Sequence, residues 1–512
     1  MTTDEHAGIA NKGSVLRTPE MEIYLVPVSC PIIRPIVLLL IILVLFCLPF
    51  SIMAKPNILV FLIDDMGWAD LTCYGSTFYE TPNIDGLAED GILFTSGYAA
   101  HPVCSPTRAA LMTGKNPCRK AVSITNWIPG PQPENEIFQG PKINNSLPLS
   151  ELTIAETLKK NGYQTWFLGK WHLGKRETHG PKVQGFDVNV AGGHQGSPPG
   201  GYYSPWRSKT LKNGPKGEYL TDRLTSEAIS LIEKRDKDKP FFMYMAYYNI
   251  HTPVQGYKPF DDKFADKAKK LFEGKTPTKR EGRGKTRMRQ DNAKLAAMVS
   301  AVDLNVGRIL KALKDHNVDE ETIIFFTSDN GGLSTKKRIT GPGCVLPLRG
   351  SKGWAYEGGI RVPFIVRKPK AKGNGKKCDS VVISQDLYPT ILELCDIPLM
   401  PEQHKDGMSF KALLDKPDKE FKRNAPLVWH YPHYHGSGWT PGSAIRIGNW
   451  KLIDFTHDGR LELYNLKDDL SEKKDLAKAY PEKLKELKGM LDDYLKATDA
   501  GLAKRNGERD YE

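Results

Sequence analysis

The residues that could do chemistry fall into a few short, charged runs. Asp64 and Asp65 are neighbours, and Asp329 and Asn330 form a second pair far along the chain. Adjacent carboxylates are costly to bury unless a cation offsets them. Three carboxylates and one amide make an oxygen donor set that suits a hard divalent cation, calcium or magnesium, better than zinc. Taken alone, Asp329-Asn330-Gly331-Gly332 also reads as a turn. Lys170, His172 and His251 add a cation and two bases for anion binding and proton transfer, although either histidine alone also reads as a satisfied structural residue. Cys104 heads "CSPTRAALMTG", where Pro106 suits a first helical turn and Ala109, Ala110, Leu111 and Met112 propagate it. The thiol therefore lies at the positive end of a helix, where unpaired N–H groups favour an anion such as sulfate or phosphate. A cysteine so placed serves as nucleophile, metal ligand, half-cystine or buried free thiol, and its position alone leaves all four open.

The elements that must hold these residues share one design. Residues 58–63, 163–168, 241–248 and 322–327 are short apolar runs of the kind buried on both faces of a parallel sheet. Each delivers its polar residues at its carboxyl end: Asp64 and Asp65, then Lys170 and His172, then Asn249 and His251, then Asp329 and Asn330. Ligand sites of open α/β sheets lie at that edge.

Cys104-Ser105-Pro106-Thr107-Arg108, followed by Leu111 and Thr113-Gly114, resembles the signature of the sulfatase family, in which the cysteine is converted after translation to formylglycine. Asp64-Asp65, Gly169-Lys170-Trp171-His172-Leu173-Gly174, His251-Thr252-Pro253, Ser328-Asp329-Asn330-Gly331 and "LRGSKGWAYEGGIRVP" at 348–363 stand in the family's order. The likeness runs from about Pro56 to near Leu476, with no departure at a motif position. It implies an alkaline-phosphatase-like α/β fold, a large mixed sheet flanked by helices, with a smaller C-terminal subdomain containing an antiparallel sheet and a helix. It also implies that Asp64, Asp65, Asp329 and Asn330 hold calcium together with the modified Cys104, and that Arg108 steadies the formylglycine. Lys170 and His172 would contact its hydroxyls and the sulfate, while His251 and Lys352 would bind sulfate near the leaving oxygen.

The chemistry agrees with those roles. Sulfuryl transfer needs a positioned nucleophile, dispersal of charge on the non-bridging oxygens and a proton for the leaving alcohol. A metal with Lys170 and Lys352 disperses the charge, and His251 is the candidate general acid. A hydrated aldehyde, as the family uses, lets one hydroxyl take the sulfuryl group and the other expel sulfate. Unmodified Cys104 is therefore expected to be nearly inactive, and a formylglycine-generating maturation enzyme of the host is an implied partner.

Composition sets the surroundings. The 512 residues are 40% hydrophobic and 26% charged, ordinary globular usage. The net charge of +12 and a pI near 9.0 favour a polyanionic partner, but no nucleic-acid recognition motif is present. From Gly256 to Gln290 twelve Lys or Arg face five Asp or Glu, a net of +7, which reads as a basic insertion loop. The run from Ile36 has thirteen apolar residues before Pro49, long enough for a signal-peptide core and short for a spanning helix. Export, periplasmic or secreted, is the expectation; an uncleaved segment anchoring the chain to a membrane is the alternative, and Met21 is a second candidate start. Outside this leader lie Cys73, Cys104, Cys118, Cys344, Cys378 and Cys395, which allow at most two disulfides if Cys104 is modified.

The expected organisation is a leader at 1–54, a catalytic domain at 55–398 with the basic loop at 256–290, and a C-terminal subdomain at 399–512. In the last, residues 444–453 read as a hairpin turning at Gly448-Asn449, and Leu484, Leu487, Leu491 and Leu495 mark one helix face. His430, His433 and His435 lack the regular spacing and fourth ligand of a zinc site. His433 and His435 are expected to contact a sulfated sugar, with Trp439 or Tyr434 stacking on a ring; packing between subdomains is the other reading. The function expected is hydrolysis of a sulfate ester, of a sulfated carbohydrate in preference to an aryl sulfate. A phosphodiesterase or phosphonate hydrolase on the same scaffold, and a non-catalytic polyanion-binding protein, are the competitors.

Overall fold

The computed structural model describes residues 55–122, 136–423 and 425–507, so the expected leader at 1–54 lies outside the described residues. Eight strands form the central sheet: β1 (Asn57–Ile63), β2 (Ile92–Phe94), β3 (Gln164–Gly169), β4 (Val188–Val190), β5 (Phe241–Ala246), β6 (Thr322–Ser328), β7 (Phe364–Arg367) and β8 (Lys376–Cys378). Their order is β8-β2-β7-β6-β1-β5-β3-β4. The run β6-β1-β5-β3-β4 is parallel throughout, whereas β7 is antiparallel to both its neighbours.

The alternation of side chains along a strand explains why β1 is apolar at every position. Leu59, Phe61 and Ile63 point to one face, where they meet α3 (Leu220–Glu233) and α5 (Ala293–Asp315) through Leu224, Ala228, Val302 and Val306. Ile58, Val60 and Leu62 point to the other, against α1 (Cys104–Thr113), α2 (Ile154–Lys160) and α6 (Leu387–Leu394). All seven residues of β1 are buried, and each large apolar one contributes about 1.5–3 kcal/mol by leaving water. A reciprocal cap starts α2: Thr153 Oγ1 accepts from the Glu156 N–H, and Glu156 Oε2 accepts from the Thr153 N–H.

The C-terminal sheet is an antiparallel meander of β9 (Leu427–Tyr431), β10 (Gly442–Ile447), β11 (Trp450–Phe455) and β12 (Arg460–Asn465). Its central hairpin turns at Gly448-Asn449, with Gly448 at a φ of 56°. One face, with Trp429, Tyr431, Ala444 and Phe455, packs on Tyr98, Ala100, Val103 and Ala110 beside α1. The other, with Val428, Ile445, Leu452 and Leu463, is covered by Leu487 and Leu491 of α7 (Pro481–Ala497). The meander thus lies over the start of α1, where Cys104 sits.

The basic stretch 256–290 is not the loop its charge predicts. It folds as α4 (Lys258–Leu271) and a hairpin of Thr278–Glu281 with Gly284–Arg287, joined by a third strand, Thr335–Lys336. Phe260, Phe264 and Ala268, four residues apart, give α4 an apolar stripe that packs on the core, Phe264 meeting Phe78 at 5.9 Å between ring centres. Two of its lysines are matched, Lys267 lying 2.8 Å from Glu80 and Lys263 on the same carboxylate. Among the described residues the six cysteines from Cys73 onward form no disulfide. Among the described residues no helix is long and apolar enough to cross a membrane.

Candidate active site

The carboxyl ends of β6, β1, β5 and β3 lie side by side. Pairing of Ile63 with Ser328 puts Asp64 and Asp329 level, and pairing of Gly169 with Ala246 brings Lys170 alongside. The chain leaves these strands through cross-bonds: the Asp64 N–H donates to the Asn249 carbonyl (2.8 Å), the Ile250 N–H to the Asp64 carbonyl (2.6 Å) and the Lys170 N–H to the Ala246 carbonyl (2.8 Å). A Cβ on Gly169, whose φ is +104°, would meet the Ala246 carbonyl oxygen at 1.8 Å, so only glycine allows this approach. Asp65 and His172 take left-handed backbone, φ 63° and 61°, a conformation that Asp and His tolerate better than most residues with a Cβ.

Three carboxylates meet three cations. Lys170 Nζ is 2.7 Å from Asp64 Oδ2, Lys352 Nζ is 2.6 Å from Asp65 Oδ1, and Arg108 donates from Nε (2.9 Å) and Nη2 (2.7 Å) to Asp329 Oδ2. Arg108 also donates to the Lys170 carbonyl, so one guanidinium fixes two strand ends. Every member is buried. Even so, Asp64 Oδ1, Asp65 Oδ2 and Asn330 Oδ1 have no hydrogen-bond partner among the described residues, while Asn330 Nδ2 donates to Asp65 Oδ1 (2.8 Å). Asp64, Cys104 and Asp329 offer ligand atoms within 4.8 Å of one another. Burial, with Asp329 and Asp65 close by and Lys170 opposing, pushes Asp64 up to about 8. Burial alone would raise Asp65 too, but Lys352, His251 and Lys170 hold it well below the usual carboxylate range. Orphaned oxygens at the edge of a buried carboxylate cluster are what a hard cation satisfies.

Cys104 is the first residue of α1, 3% exposed, and its Sγ lies 3.3 Å from His172 Nδ1. Burial pushes its thiol up, with Lys170 and Lys352 opposing. Burial and then the cations Lys170, Arg108 and Lys352 push His172 well below the ordinary imidazole range, so it is a neutral ring beside the nucleophile position. His251 Nδ1 lies 2.7 Å from the Thr252 carbonyl, which places the proton on Nδ1 and turns Nε2 toward Asp65 Oδ2 at 3.8 Å. Burial, then Lys352, lowers His251 to about 3. Lys352 is tied to the Cys104 loop next door, since the Gly353 N–H donates to the Pro102 carbonyl (2.7 Å).

All the predicted catalytic and metal residues therefore gather in one place; the histidine cluster divides. A Cβ on Gly353 would meet His435 Nδ1 at 2.0 Å, so His435 backs directly onto the Lys352 loop, and burial followed by Lys352 lowers it to about 3. His433 instead lies against Gly140 and is 4% exposed. Trp439 is wholly buried, its ring edge-on to Trp354 and its Nε1 donating to the Tyr431 carbonyl (3.0 Å). It is a core residue with no face for a sugar, because the meander needs an aromatic plug where it meets the 348–363 segment. The Tyr434 hydroxyl is engaged by the Phe138 N–H and by His457 Nδ1.

Three contributors escaped the sequence. Tyr202 donates to the carbonyls of Tyr248 (2.6 Å) and His251 (2.8 Å), setting the turn that carries His251. Gly193 accepts from the His172 N–H (3.0 Å). Tyr431, 1% exposed, lies 4.9 Å edge-on to His101 with its hydroxyl unpartnered. The run "GGHQGSPPGGYYSPW" flags a structured loop by its Gly and Pro content, but nothing in it announces contact with both histidines.

A nucleophile position under a helix N-terminus, ringed by lysines and an oxygen donor set at the edge of this sheet, defines a hydrolase of anionic esters on the alkaline-phosphatase-like fold. Residues 56–397 match the sulfatase family model, and 351–500 match the model of the C-terminal part of N-sulphoglucosamine sulphohydrolase. The chain belongs to the sulfatase family, the sulfuric ester hydrolases. Human N-acetylgalactosamine-6-sulfatase is 32% identical over 410 residues, covering 74% of this chain and 71% of that protein. A sulfatase of Formosa agariphila is 31% identical over 503 residues, covering 83% and 85%. Among solved structures, Ps i-CgsB in complex with k-i-k-neocarrahexaose superposes with a TM-score of 0.69 at 31% identity, over 86% of this chain and 93% of that one. The phosphonate monoester hydrolase of Agrobacterium radiobacter, TM-score 0.63 at 20% identity, shares the fold.

Proposed function

We propose that the protein removes sulfate from a sulfated carbohydrate, using formylglycine derived from Cys104 and a calcium ion held by Asp64, Asp65, Asp329, Asn330 and the modified Cys104. The observation that carries the metal is the set of three buried oxygens without partners, one each on Asp64, Asp65 and Asn330. Charge supports it: with Asp64 ionised, which a bound cation would favour against the rise that burial imposes, three carboxylates and three cations cancel, and a divalent ion leaves the centre positive toward an anionic ester. Bound there, calcium would polarise a sulfate oxygen and acidify the attacking hydroxyl.

The chain's own residues do the rest. Arg108 holds Asp329 and the Lys170 carbonyl in register beneath the nucleophile. Lys170 and Lys352 reach from Asp64 and Asp65 toward the sulfate oxygens. Neutral His172, beside Cys104, accepts the nucleophile's proton; His251 serves as general acid in its doubly protonated form, which the negative charge of the bound ester favours, giving its Nε2 proton to the leaving oxygen while Nδ1–H stays on the Thr252 carbonyl. Their burial excludes water, which strengthens each charge interaction. The carbohydrate assignment is supported by the names of the relatives, one an N-acetylgalactosamine-6-sulfatase and one crystallised with an oligosaccharide. His435, behind Lys352, is the better placed of the two histidines to touch the sugar. Export, read from the apolar run before Pro49, and maturation by a formylglycine-generating enzyme belong to the same proposal.

The test is peptide mass spectrometry across Cys104 on protein from its native host, with sulfate release measured on a panel of sulfated saccharides and an aryl sulfate. A mass lowered by the difference between thiol and aldehyde, with release abolished in Cys104→Ala, is the expected result. An unmodified thiol with no release would overturn the reading, and phosphate ester turnover exceeding sulfate would favour the phosphoesterase competitor.

A further inference from the structure

Behind His172 runs a segment that the chemistry above does not use. It leaves β4 at Ala191, whose carbonyl accepts from the Tyr248 hydroxyl (3.0 Å), passes Gly193, whose carbonyl accepts from the His172 N–H (3.0 Å), and reaches Tyr202, which holds the His251 carbonyl. At Gly196 an added Cβ would sit 2.7 Å from His172 Cε1, so the loop is the wall against which that ring stands. The same loop lines a cavity of about 140 Å³ between residues 191–195 and 207–210, with Arg176 and Glu177 also on its wall. Its charge is one-sided. Arg176, Arg207 and Lys209 line it, with His194, against one carboxylate, Glu177, already paired with Arg176. Arg207 and Lys209 are exposed, and neither side chain makes a hydrogen bond or ion pair among the described residues. Unpaired cations clustered in a concave wall attract anions more strongly than the same charges scattered over a surface.

We infer that this cavity is a second anion site, which takes a sulfate or carboxylate group on the sugar next to the one whose ester is cleaved. The inference rests on the carbohydrate reading. Hydrogen bonds at Ala191, Gly193 and Tyr202 fix the wall to both catalytic histidines, so an anion held by Arg207 and Lys209 sets where the neighbouring ester enters. The site therefore selects polyanionic chains over singly charged esters.

The test compares wild type with Arg207→Ala/Lys209→Ala in hydrolysis of a small aryl sulfate, competed by three oligosaccharides of equal length: uncharged, carboxylated and sulfated. Aryl sulfate turnover is expected to be unchanged. Competition by a charged oligosaccharide is expected to weaken about tenfold in the variant at low salt, with the difference shrinking as ionic strength rises. The carboxylated and sulfated arms show which anion the cavity prefers. Equal inhibition constants in both proteins, or an uncharged chain that competes as well as a charged one, would overturn the inference. If wild type releases sulfate from neither the aryl sulfate nor any sulfated saccharide, the proposed function fails; calorimetric binding of the same oligosaccharides to Cys104→Ala, with and without the double substitution, then still decides the cavity.

Discussion

Lys451→Met should weaken the protein by an amount that grows with pH. Lys451, on β11, is fully buried between Glu357 (2.9 Å) and Glu472 (2.8 Å), which are themselves fully buried. Glu472 Oε2 also accepts from the Glu357 N–H (2.7 Å). Removing one partner of a buried ion pair costs about 3–5 kcal/mol, because the remaining charge is left in a poor solvent. With roughly 440 folded residues and about 2.1 cal/mol/K of unfolding entropy each, that is a fall in Tm of about 3–5 °C. The pH dependence follows from the carboxylates. Burial raises Glu472 to about 7 with Lys451 opposing, and Glu357 is held near 2, burial being outweighed chiefly by Lys451 and then Arg361. Without Lys451, Glu472 rises further above its unfolded value, and Glu357 loses the largest of the charges that hold it down. A carboxyl raised in the folded state contributes stability below its unfolded pKa and loses it as pH rises through the folded one. The deficit should thus be small near pH 5 and full near pH 8.5, by scanning calorimetry at both. A Tm within 1 °C of wild type at the higher pH, or a deficit that shrinks as pH rises, would refute the argument. Activity should fall as well, since Glu357 begins the turn whose Gly359 carbonyl accepts from the Gly331 N–H (2.9 Å), beside Asn330.

Chelation of calcium should lower Tm and its return restore it, by about 2.7 kcal/mol at a hundred times Kd, or about 3 °C here; Asn330→Leu should lose the shift, and an equal Tm with chelator and with calcium would count against the site. Gly169→Ala should cost more than 2 kcal/mol by denaturant unfolding and cut kcat, because its Cβ strikes the Ala246 carbonyl and displaces Lys170; wild-type behaviour would mean that the β3–β5 approach is looser than described. Arg108→Lys should lose a hundredfold or more in kcat with the charge retained, since an ammonium cannot replace a fork spanning Asp329 and the Lys170 carbonyl; turnover within threefold of wild type would show that charge alone suffices.

Four strand ends were legible in the sequence because a doubly buried strand must be apolar throughout, so the first charged residue after each run marks the sheet edge. Asp64, Lys170, His251 and Asp329 follow from that rule, and Cys104 from the helix grammar after it. What was hidden depends on partners distant in sequence. The charge of 256–290 concealed Phe260, Phe264 and Ala268, whose stripe becomes visible only against Phe78. His433 and His435 are two residues apart with like neighbours, yet one faces Gly140 and the other Gly353. Trp439 looked like a sugar platform because side-chain type does not disclose burial, and Gly193 gives no sign that its carbonyl holds His172.

The pairing of β1 with β6 joins residues about 265 apart, and it sets a timetable for the chain. More than two hundred residues must be made after Cys104 before Thr322 opens β6, and β9, which roofs the start of α1, comes later still. At about 5–20 residues per second of synthesis, that interval is on the order of 10–40 s. If Cys104 is modified as proposed, the modifying enzyme would have to grip its segment as extended peptide during that interval, because once the fold closes the thiol is 3% exposed. On that reading a molecule that folds unmodified would stay so, and the active fraction of a preparation would report how translation rate and modification rate compared.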